Sequence, residues 1–263
     1  MGKLDGKVAF VTGAGHGIGR ATARRFGQEG AAVVIAEVNR EFGVETAATL
    51  VQEGLAAEFV ETDVASDENL KHSIDLTAER HGRIDILINN ATWSAFGKVT
   101  ELSKEDWDRS IATGLTSVFL GSKYAIRYMQ RQGGGSIVNT SSIFGLVGGR
   151  NRAAYCSTKG AIVNLTRNMA LDFIGDNIRV NCVCPGGVST WPEVDHSDAP
   201  YWKTRRYPET LSWEQRVKMH PIGRQGVPEE IAEAMMWLVD PANKFTVGAA
   251  IVVDGGLTVQ SLI

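Results

Sequence analysis

The sequence predicts an α/β fold in which a doubly wound parallel sheet is flanked by helices. Short apolar runs, each the length of a buried strand, recur along the 263 residues and alternate with segments that have helical spacing. Such alternation is typical of βαβ units, whose right-handed crossovers bring the carboxyl ends of the strands to one edge. A glycine-rich turn follows the first run, and polar residues follow several others. We therefore expect one ligand site at that edge of the sheet.

Seven runs qualify as strands, and they lie at residues 7–12, 31–36, 57–62, 84–89, 135–140, 178–183 and 249–253. The chain contains 43% hydrophobic residues and shows no internal repeat, low-complexity stretch or domain boundary. A chain of this length can bury one large core, so we expect a single domain over residues 1–263.

The glycine-rich turn between the first strand and the first helical segment predicts a nucleotide site. Its residues are Gly13, Gly15, His16, Gly17, Ile18 and Gly19. Glycines let the backbone approach a pyrophosphate, and the amides and partial positive charge of a helix start stabilise phosphate oxygens. Turns of this kind also occur as plain connections without a ligand, and here the strand that follows favours nucleotide binding.

Glu37 ends the second predicted strand and bears on the choice of cofactor. A carboxylate at this point accepts a hydrogen bond from the ribose 2′-hydroxyl of NAD, and it repels the 2′-phosphate of NADP. The alternative is a solvated acid at a strand end. Arg40 is an argument for NADP, because a nearby arginine can accept that phosphate. On balance the sequence predicts NAD.

Five motifs follow one another along the chain. They are Thr12-Gly13 to Ile18-Gly19, Asn89-Asn90-Ala91, Ser142, Tyr155-x-x-x-Lys159, and Pro185-Gly186-x-Val188-x-Thr190. Their combination resembles the short-chain dehydrogenase/reductase family over essentially the whole chain. The resemblance implies a Rossmann-like single domain of the standard NAD(P)-dependent type, and an oxidoreductase that acts on CH-OH donors.

The resemblance also implies that Ser142, Tyr155 and Lys159 are the catalytic residues. Tyr155 would be the general base, although a free phenol has a pKa of about 10 and is mostly protonated at neutral pH. Lys159 lies one helical turn further, where its ammonium favours the phenolate and would also hold the nicotinamide ribose. Ser142 would hydrogen-bond the substrate oxygen. An ordinary surface pair at helical spacing is the alternative for Tyr155 and Lys159.

Further cofactor contacts are implied by the same resemblance. They are Asp63 and Val64 at the adenine, Asn90 and Ala91 at the ribose, Val188 and Thr190 at the carboxamide, and Pro185 and Gly186 in the same motif.

Two positions depart from the family pattern. Thr92 stands where the family usually has glycine, and Gly114 stands where it usually has asparagine. That asparagine ordinarily bends a helix and holds a water in a proton relay. Glycine permits the bend but offers no side-chain amide, so the relay would need another route.

The expected substrate contacts are Trp93, Ser142, Phe144, Arg150, Tyr155 and Trp191. The irregular, aromatic-rich segment at about 191–220 predicts a substrate lid, with an oligomer contact or a packed flap as the alternatives. Arg150, Arg152 and the run 203–206 indicate an anionic substrate, because guanidinium groups bind carboxylates, sulfonates and phosphates. Acids balance the basic residues of the lid, so a solvated or intersubunit face is the alternative.

Three functions remain compatible with these residues. The first is an NAD-dependent dehydrogenase of a secondary alcohol, namely a ring alcohol, sugar, polyol or hydroxy acid. The second is an NADP-dependent ketoreductase of the 3-oxoacyl type. The third is a non-catalytic nucleotide-binding protein, for which Gly114 is the only argument.

Charge and composition limit the partners. The net charge is only −3, with both signs spread along the chain, which gives no indication of nucleic-acid binding. No apolar run approaches ~18 residues and the first residues are polar, so we expect a cytoplasmic protein without membrane contact. The five histidines and three cysteines show no metal-binding spacing, so we expect no metal. The family resemblance implies a homotetramer that acts on a small molecule, with a homodimer as the alternative. The helical segment 158–173 carries apolar residues at Ala161, Leu165, Met169 and Phe173, more than one core-facing stripe needs.

Overall fold

The computed structural model describes residues 2–190 and 213–260. Within these ranges seven strands pair in parallel and form one sheet in the order β3-β2-β1-β4-β5-β6-β7. The strands are β1 (Val8–Thr12), β2 (Ala32–Glu37), β3 (Ala57–Glu61), β4 (Ile86–Asn89), β5 (Gly135–Thr140), β6 (Ile178–Pro185) and β7 (Ala250–Val253). The predicted doubly wound parallel sheet is confirmed, and the predicted strand ends differ from these bounds by two residues or fewer.

Helices connect the strands and cover both faces of the sheet. They are α1 (Gly17–Gln28), α2 (Arg40–Gln52), α3 (Asp67–His81), α4 (Lys104–Ile111), α5 (Ser117–Gln132), α6 (Ala153–Phe173), α7 (Trp213–Lys218) and α8 (Pro228–Val239). A π-helical turn, Ala112–Thr116, joins α4 to α5.

The core consists of two apolar layers, one on each face of the sheet. Every residue of β1 is buried, as expected for a parallel strand that is covered on both faces. Ala9 and Val11 pack in the layer that contains Phe26 of α1 and side chains of α2 and α8. Phe10 packs in the opposite layer with Leu70 of α3 and side chains of α5 and α6. The strand is therefore fixed from both sides, and its carboxyl end has a defined position.

The strand order determines where a ligand can bind. From β1 the chain winds outward through β2 and β3, and it then returns to β4 on the other side of β1. In open α/β sheets a crevice forms at the carboxyl ends of the strands where the winding reverses. Here that point lies between β1 and β4.

Some of the residues expected in the substrate site and the lid are not described by the structure. Trp191, the run 203–206 and most of the expected lid lie outside the described residues. Of the segment 191–220, the structure describes residues 213–220, which comprise α7 and the two residues after it. None of the helices in ranges 2–190 and 213–260 is both long enough and apolar enough to cross a bilayer.

Candidate active site

A cavity of about 1000 Å³ opens at the carboxyl ends of the strands, at the expected edge of the sheet. Most of the predicted site residues line it. They are Gly13, His16, Gly17, Ile18, Glu37, Asp63, Val64, Asn90, Ala91, Trp93, Ser142, Phe144, Arg150, Tyr155, Lys159, Pro185, Gly186, Val188 and Thr190. Gly15 and Gly19 do not line the cavity, because both pack against neighbouring backbone and side chains instead.

The glycine turn is packed too closely for side chains. A Cβ atom on Gly19 would lie 2.1 Å from the carbonyl oxygen of Gly13, and Gly13 itself has a φ of +63°. Helix α1 begins at Gly17, beside the cavity. The amides of its first turn have no partner within the helix, so they suit phosphate oxygens. The residues of this cradle therefore fit the pyrophosphate of a dinucleotide.

Thr12 and Asn90 join the ends of β1 and β4. The Thr12 hydroxyl accepts hydrogen bonds from the backbone amides of Asn90 (2.9 Å) and Ala91 (3.1 Å). In return, the side-chain amide of Asn90 donates to the carbonyl oxygens of Thr12 (3.1 Å) and Gly13 (3.2 Å). These bonds hold the glycine turn against the segment that follows β4. The two residues at the winding reversal thus fix the width of the crevice.

Glu37 lies at the end of β2 with only 5% of its surface exposed. Its carboxylate accepts hydrogen bonds from the backbone amides of Gly15 (3.1 Å) and Asn39 (3.0 Å). Burial raises the pKa of this carboxyl above its ordinary value, and the backbone amides oppose that shift. Glu37 therefore supports the glycine turn as well as lining the cavity, a second role that the sequence did not indicate.

Arg40, which the sequence suggested as a partner for the 2′-phosphate of NADP, forms an ion pair within the protein instead. Its guanidinium pairs with the carboxylate of Glu61 on β3 at 2.9 Å, and it does not line the cavity. Both side chains are exposed, so the pair contributes little to stability.

Ser142, Tyr155 and Lys159 meet in the cavity from two elements. Ser142 follows β5 and is 5% exposed, whereas Tyr155 and Lys159 lie one turn apart on α6. The Lys159 Nζ donates a hydrogen bond to the carbonyl oxygen of Thr140 at 2.7 Å, and it lies 5.7 Å from the centroid of the Tyr155 ring. Burial lowers the pKa of Lys159 to about 8, which leaves the amine mostly protonated at neutral pH.

Aromatic rings form the wall around Tyr155. The ring centroids of Phe96 and Phe144 lie 5.9 Å and 6.2 Å from that of Tyr155. Trp93 is 1% exposed and lines the same cavity. The sequence analysis named Trp93 and Phe144 but missed Phe96, whose only sequence signal was its position in the irregular segment after β4.

His220 is a cavity residue that sequence reasoning missed. It is 5% exposed, and its Nε2 accepts a hydrogen bond from the backbone amide of Gly187 at 3.1 Å. The same residue leaves no room for a side chain at Gly187, where a Cβ atom would lie 2.7 Å from the imidazole Cε1. The contact supports the motif after β6. Gly187 and His220 are 33 residues apart, so no helical or strand spacing in the sequence could have predicted this contact.

Comparisons with known proteins agree with this geometry. A family model described as enoyl-(acyl carrier protein) reductase matches residues 13–258. The chain is 40% identical to meso-2,3-butanediol dehydrogenase of Serratia marcescens, over 97% of this chain and 96% of that protein. It is 39% identical to 2-(S)-hydroxypropyl-CoM dehydrogenase 3 of Xanthobacter autotrophicus, over 97% of this chain and 98% of that protein.

Solved structures show the same fold. A structure described as a short-chain dehydrogenase/reductase from Burkholderia xenovorans matches with a TM-score of 0.90 at 31% identity, over 99% of this chain and 100% of that one. A 7α-hydroxysteroid dehydrogenase complexed with NADH and 7-oxo glycochenodeoxycholic acid matches with a TM-score of 0.85 at 33% identity, over 96% and 94% of the two chains. The chain therefore belongs to the short-chain dehydrogenase/reductase family of nicotinamide-dependent oxidoreductases.

Proposed function

We propose that this protein is an NAD-dependent dehydrogenase of secondary alcohols, with Tyr155 as the general acid and base. The observation that carries the proposal is the position of Tyr155, which lines the cavity together with Ser142 and the buried Lys159. The proposed substrate class comprises ring alcohols, sugars, polyols and hydroxy acids. Within this class the aromatic wall formed by Phe96 and Phe144 favours substrates with an apolar ring face.

The three side chains have complementary tasks in this reaction. In alcohol oxidation the Tyr155 phenolate accepts the hydroxyl proton, and the Lys159 ammonium stabilises the phenolate. An ammonium has three donors, and the Thr140 carbonyl takes one, which leaves two for the phenol oxygen and a ribose hydroxyl. Ser142 donates a hydrogen bond to the substrate oxygen as charge develops on it. A bound nicotinamide supplies the hydride acceptor.

Glu37 supports NAD as the cofactor. Its buried carboxylate lines the cavity at the end of β2, and a carboxylate at this position repels the 2′-phosphate of NADP. Arg40 pairs with Glu61 on the neighbouring strand. The relatives support an alcohol substrate, since their names describe a butanediol dehydrogenase and a hydroxypropyl-CoM dehydrogenase.

The alternative is an NADP-dependent ketoreductase of the 3-oxoacyl type. It is favoured by the description of the family model, which refers to an acyl carrier protein. Glu37 argues against it. The two proposals differ in the preferred cofactor and in whether a β-ketoacyl thioester is reduced.

The test is a panel of cyclic secondary alcohols and polyols assayed with NAD and, separately, NADP. We expect NADH formation, and we expect Tyr155→Phe to lower turnover at least ~10²-fold with nearly unchanged NAD affinity. Tyr128→Phe is the matched control, because the Tyr128 hydroxyl donates a hydrogen bond to Asp75 and does not line the cavity. If Tyr155→Phe kept wild-type turnover, or if only β-ketoacyl thioesters reacted, the proposal would be wrong.

A further inference from the structure

The guanidinium of Arg152 lies between two aromatic rings at the substrate end of the cavity. Its Cζ is 4.8 Å from the Phe96 centroid and 4.7 Å from the Phe144 centroid. These are the two rings that flank Tyr155. A planar cation stacked on aromatic rings keeps its N–H edge free for a further partner. Arg152 therefore presents hydrogen-bond donors beside the proposed general base.

The backbone around Arg152 holds this position. The amide of Gly97 donates to the carbonyl oxygen of Asn151 at 2.8 Å, and Gly97 and Arg152 form a parallel β-bridge. A Cβ atom on Gly149 would lie 2.6 Å from the Phe144 ring and 2.8 Å from the Arg152 Cδ. The side-chain stem is thus packed between fixed neighbours, so little conformational entropy is lost when the guanidinium binds a ligand.

The charge of Arg152 is not balanced by the described part of the chain. No carboxylate within residues 2–190 and 213–260 forms an ion pair with Arg152, although the side chain is half-buried. Among the described residues that line the cavity, the acids are Glu37, which ends β2, and Asp63, which follows β3. The described residues at the end of the cavity near Tyr155 therefore carry a positive charge.

Arg109 adds a second cation to the wall of the cavity. Its Cζ lies 4.3 Å from the Trp93 ring centroid, and both residues line the cavity. Asp108, the neighbouring acid on α4, is held by Lys104 at 2.6 Å rather than by Arg109. Arg150 also lines the cavity. Arg109 and Arg150 are both exposed, and of the two only Arg109 lies over an aromatic ring of the described residues.

We propose that Arg152, assisted by Arg109, binds an oxyanion on the alcohol substrate. The substrate is then a secondary alcohol that carries a carboxylate or a sulfonate. This inference rests on the proposed function and narrows its substrate class. A guanidinium fork binds either group through paired hydrogen bonds. A neutral substrate would instead cover the half-buried cation without giving it a partner, and this costs binding energy.

The first test compares an anionic alcohol, 3-hydroxycyclohexane-1-carboxylate, with its neutral methyl ester, which is larger by one methyl group, at a fixed NAD concentration. We expect the wild-type kcat/KM to be higher for the acid. The ratio of acid to ester should fall at least tenfold in Arg152→Ala, fall less in Arg109→Ala, and recover only in part in Arg152→Lys, which keeps the charge but loses the fork.

Arg131→Ala is the control for this series, because Arg131 also lies over an aromatic ring, that of Tyr128, but does not line the cavity. Thermal unfolding of each variant checks that it is folded. If the ratio in Arg152→Ala falls no further than in Arg131→Ala, the inference is overturned, and any turnover of neutral alcohols leaves the proposed dehydrogenase intact.

The second test needs no turnover. Calorimetric titration of the NADH-loaded protein uses cyclohexanecarboxylate, cyclohexanesulfonate and neutral cyclohexanecarboxamide, and the first two distinguish the two oxyanions. We expect at least one anion to bind at least tenfold more tightly than the amide in wild type, and this preference to be lost in Arg152→Ala. Equal affinities for all three probes would overturn the inference. Anion preference without oxidation of any alcohol would support the anion site and contradict the proposed reaction.

Discussion

A Cβ atom on Gly114 would lie 2.6 Å from the Cγ2 of Thr158, the residue before Lys159 on α6. Gly114 is buried in the π-helical turn Ala112–Thr116, and the same Cβ position is 3.4 Å from the hydroxyl oxygen of Thr92. The two positions that depart from the family pattern therefore face each other. The turn can lie against α6 because residue 114 has no side chain.

We expect Gly114→Ala to destabilise the protein although alanine is the better helix former by about 1 kcal/mol. In the variant, the new Cβ of residue 114 would lie closer to the Thr158 Cγ2 than van der Waals packing allows. Such overpacking costs roughly 1–3 kcal/mol. Thr158→Ser removes Cγ2, so the double variant should recover most of the loss. Urea unfolding of the four proteins gives the coupling energy. Gly175→Ala, where a Cβ would meet nothing, is the control, and an equally stable Gly114→Ala variant would contradict the prediction.

Cofactor selectivity should depend on Glu37. We expect wild type to bind NAD at least tenfold more tightly than NADP, a difference of about 1.4 kcal/mol, because the carboxylate repels the 2′-phosphate. Glu37→Gln keeps the shape of the side chain and removes its charge, so the preference should narrow. Fluorescence titration with NADH and NADPH measures both affinities. Glu233→Gln on α8 is the control, because Glu233 pairs with Arg25 and does not line the cavity, and equal affinities in wild type would contradict the prediction.

The same preference should weaken at acid pH. Burial raises the pKa of Glu37, so its carboxyl is protonated at a higher pH than an ordinary glutamate, and its negative charge is lost as the pH falls through that value. The 2′-phosphate of NADPH also loses charge toward pH 5, and this affects every variant. We therefore expect the NADH-to-NADPH affinity ratio to fall more from pH 8 to pH 5 in wild type than in Glu37→Gln. Identical falls would show that Glu37 does not titrate there.

The sheet was predictable because its signal is local. Buried parallel strands are continuous apolar runs, as in β1 and β2, and their polar ends indicated the position of the cavity. The strand ends were less accurate. Residues 84 and 85 were assigned to the fourth strand, but Asp85 instead accepts hydrogen bonds from the backbone amide of Val8 and from the Arg83 guanidinium before β4 begins.

The cofactor end of the cavity was also predictable, since its residues directly follow strands. The substrate end was less so, because its contacts depend on packing between distant segments. The β-bridge between Gly97 and Arg152 brings the Arg152 guanidinium to the ring of Phe96, the residue before Gly97. The hydrogen bond between Gly187 and His220 joins residues that are 33 positions apart. A sequence pattern with helical or strand spacing contains no information about such pairs.

Assembly remains a prediction, and the structure offers two apolar surfaces for it. Phe119 is 49% exposed beside a groove between α5 and α6, and Trp237 on α8 is 50% exposed on the side of the edge strand β7. Subunit contacts would cover both of these aromatic side chains. On α6, Ala161 and Leu165 line the groove, whereas Met169 packs in the core.

Two separate surfaces predict a homotetramer with two kinds of interface. We expect light scattering to give the mass of four chains for wild type, of two chains for Phe119→Glu or Trp237→Glu, and of one chain for the double variant. Val99→Glu, at an 81% exposed position elsewhere, should remain tetrameric. A wild-type mass of one chain at micromolar concentration would contradict the prediction.

Lys159 should make the stability of the cofactor-free protein depend on pH. Burial lowers its pKa to about 8 from the ordinary 10.5, so between these values the unfolded chain holds a proton that the folded chain has released. Stability therefore rises with pH across this window, by on the order of 2–3 kcal/mol. Lys159→Met has no titrating group at this position. We therefore expect the free energy of unfolding of Lys159→Met to exceed that of wild type by the largest amount near pH 7.

The measurement is urea unfolding of both proteins at pH 7, 8.5 and 10. The free energy of unfolding of Lys159→Met minus that of wild type should decrease steadily over this series. The lost hydrogen bond to the Thr140 carbonyl shifts all three differences in the same direction and leaves the trend unchanged. Lys123→Met, at an exposed position on α5, is the control. A difference for Lys159→Met that stays constant with pH would mean that the folded and unfolded chains hold the same number of protons, so burial would not lower the pKa of Lys159 and the prediction would be wrong. A difference that already decreases steeply below pH 8 would instead mean that the buried amine is uncharged at neutral pH, and the electrostatic support that we assign to it for Tyr155 would then be absent.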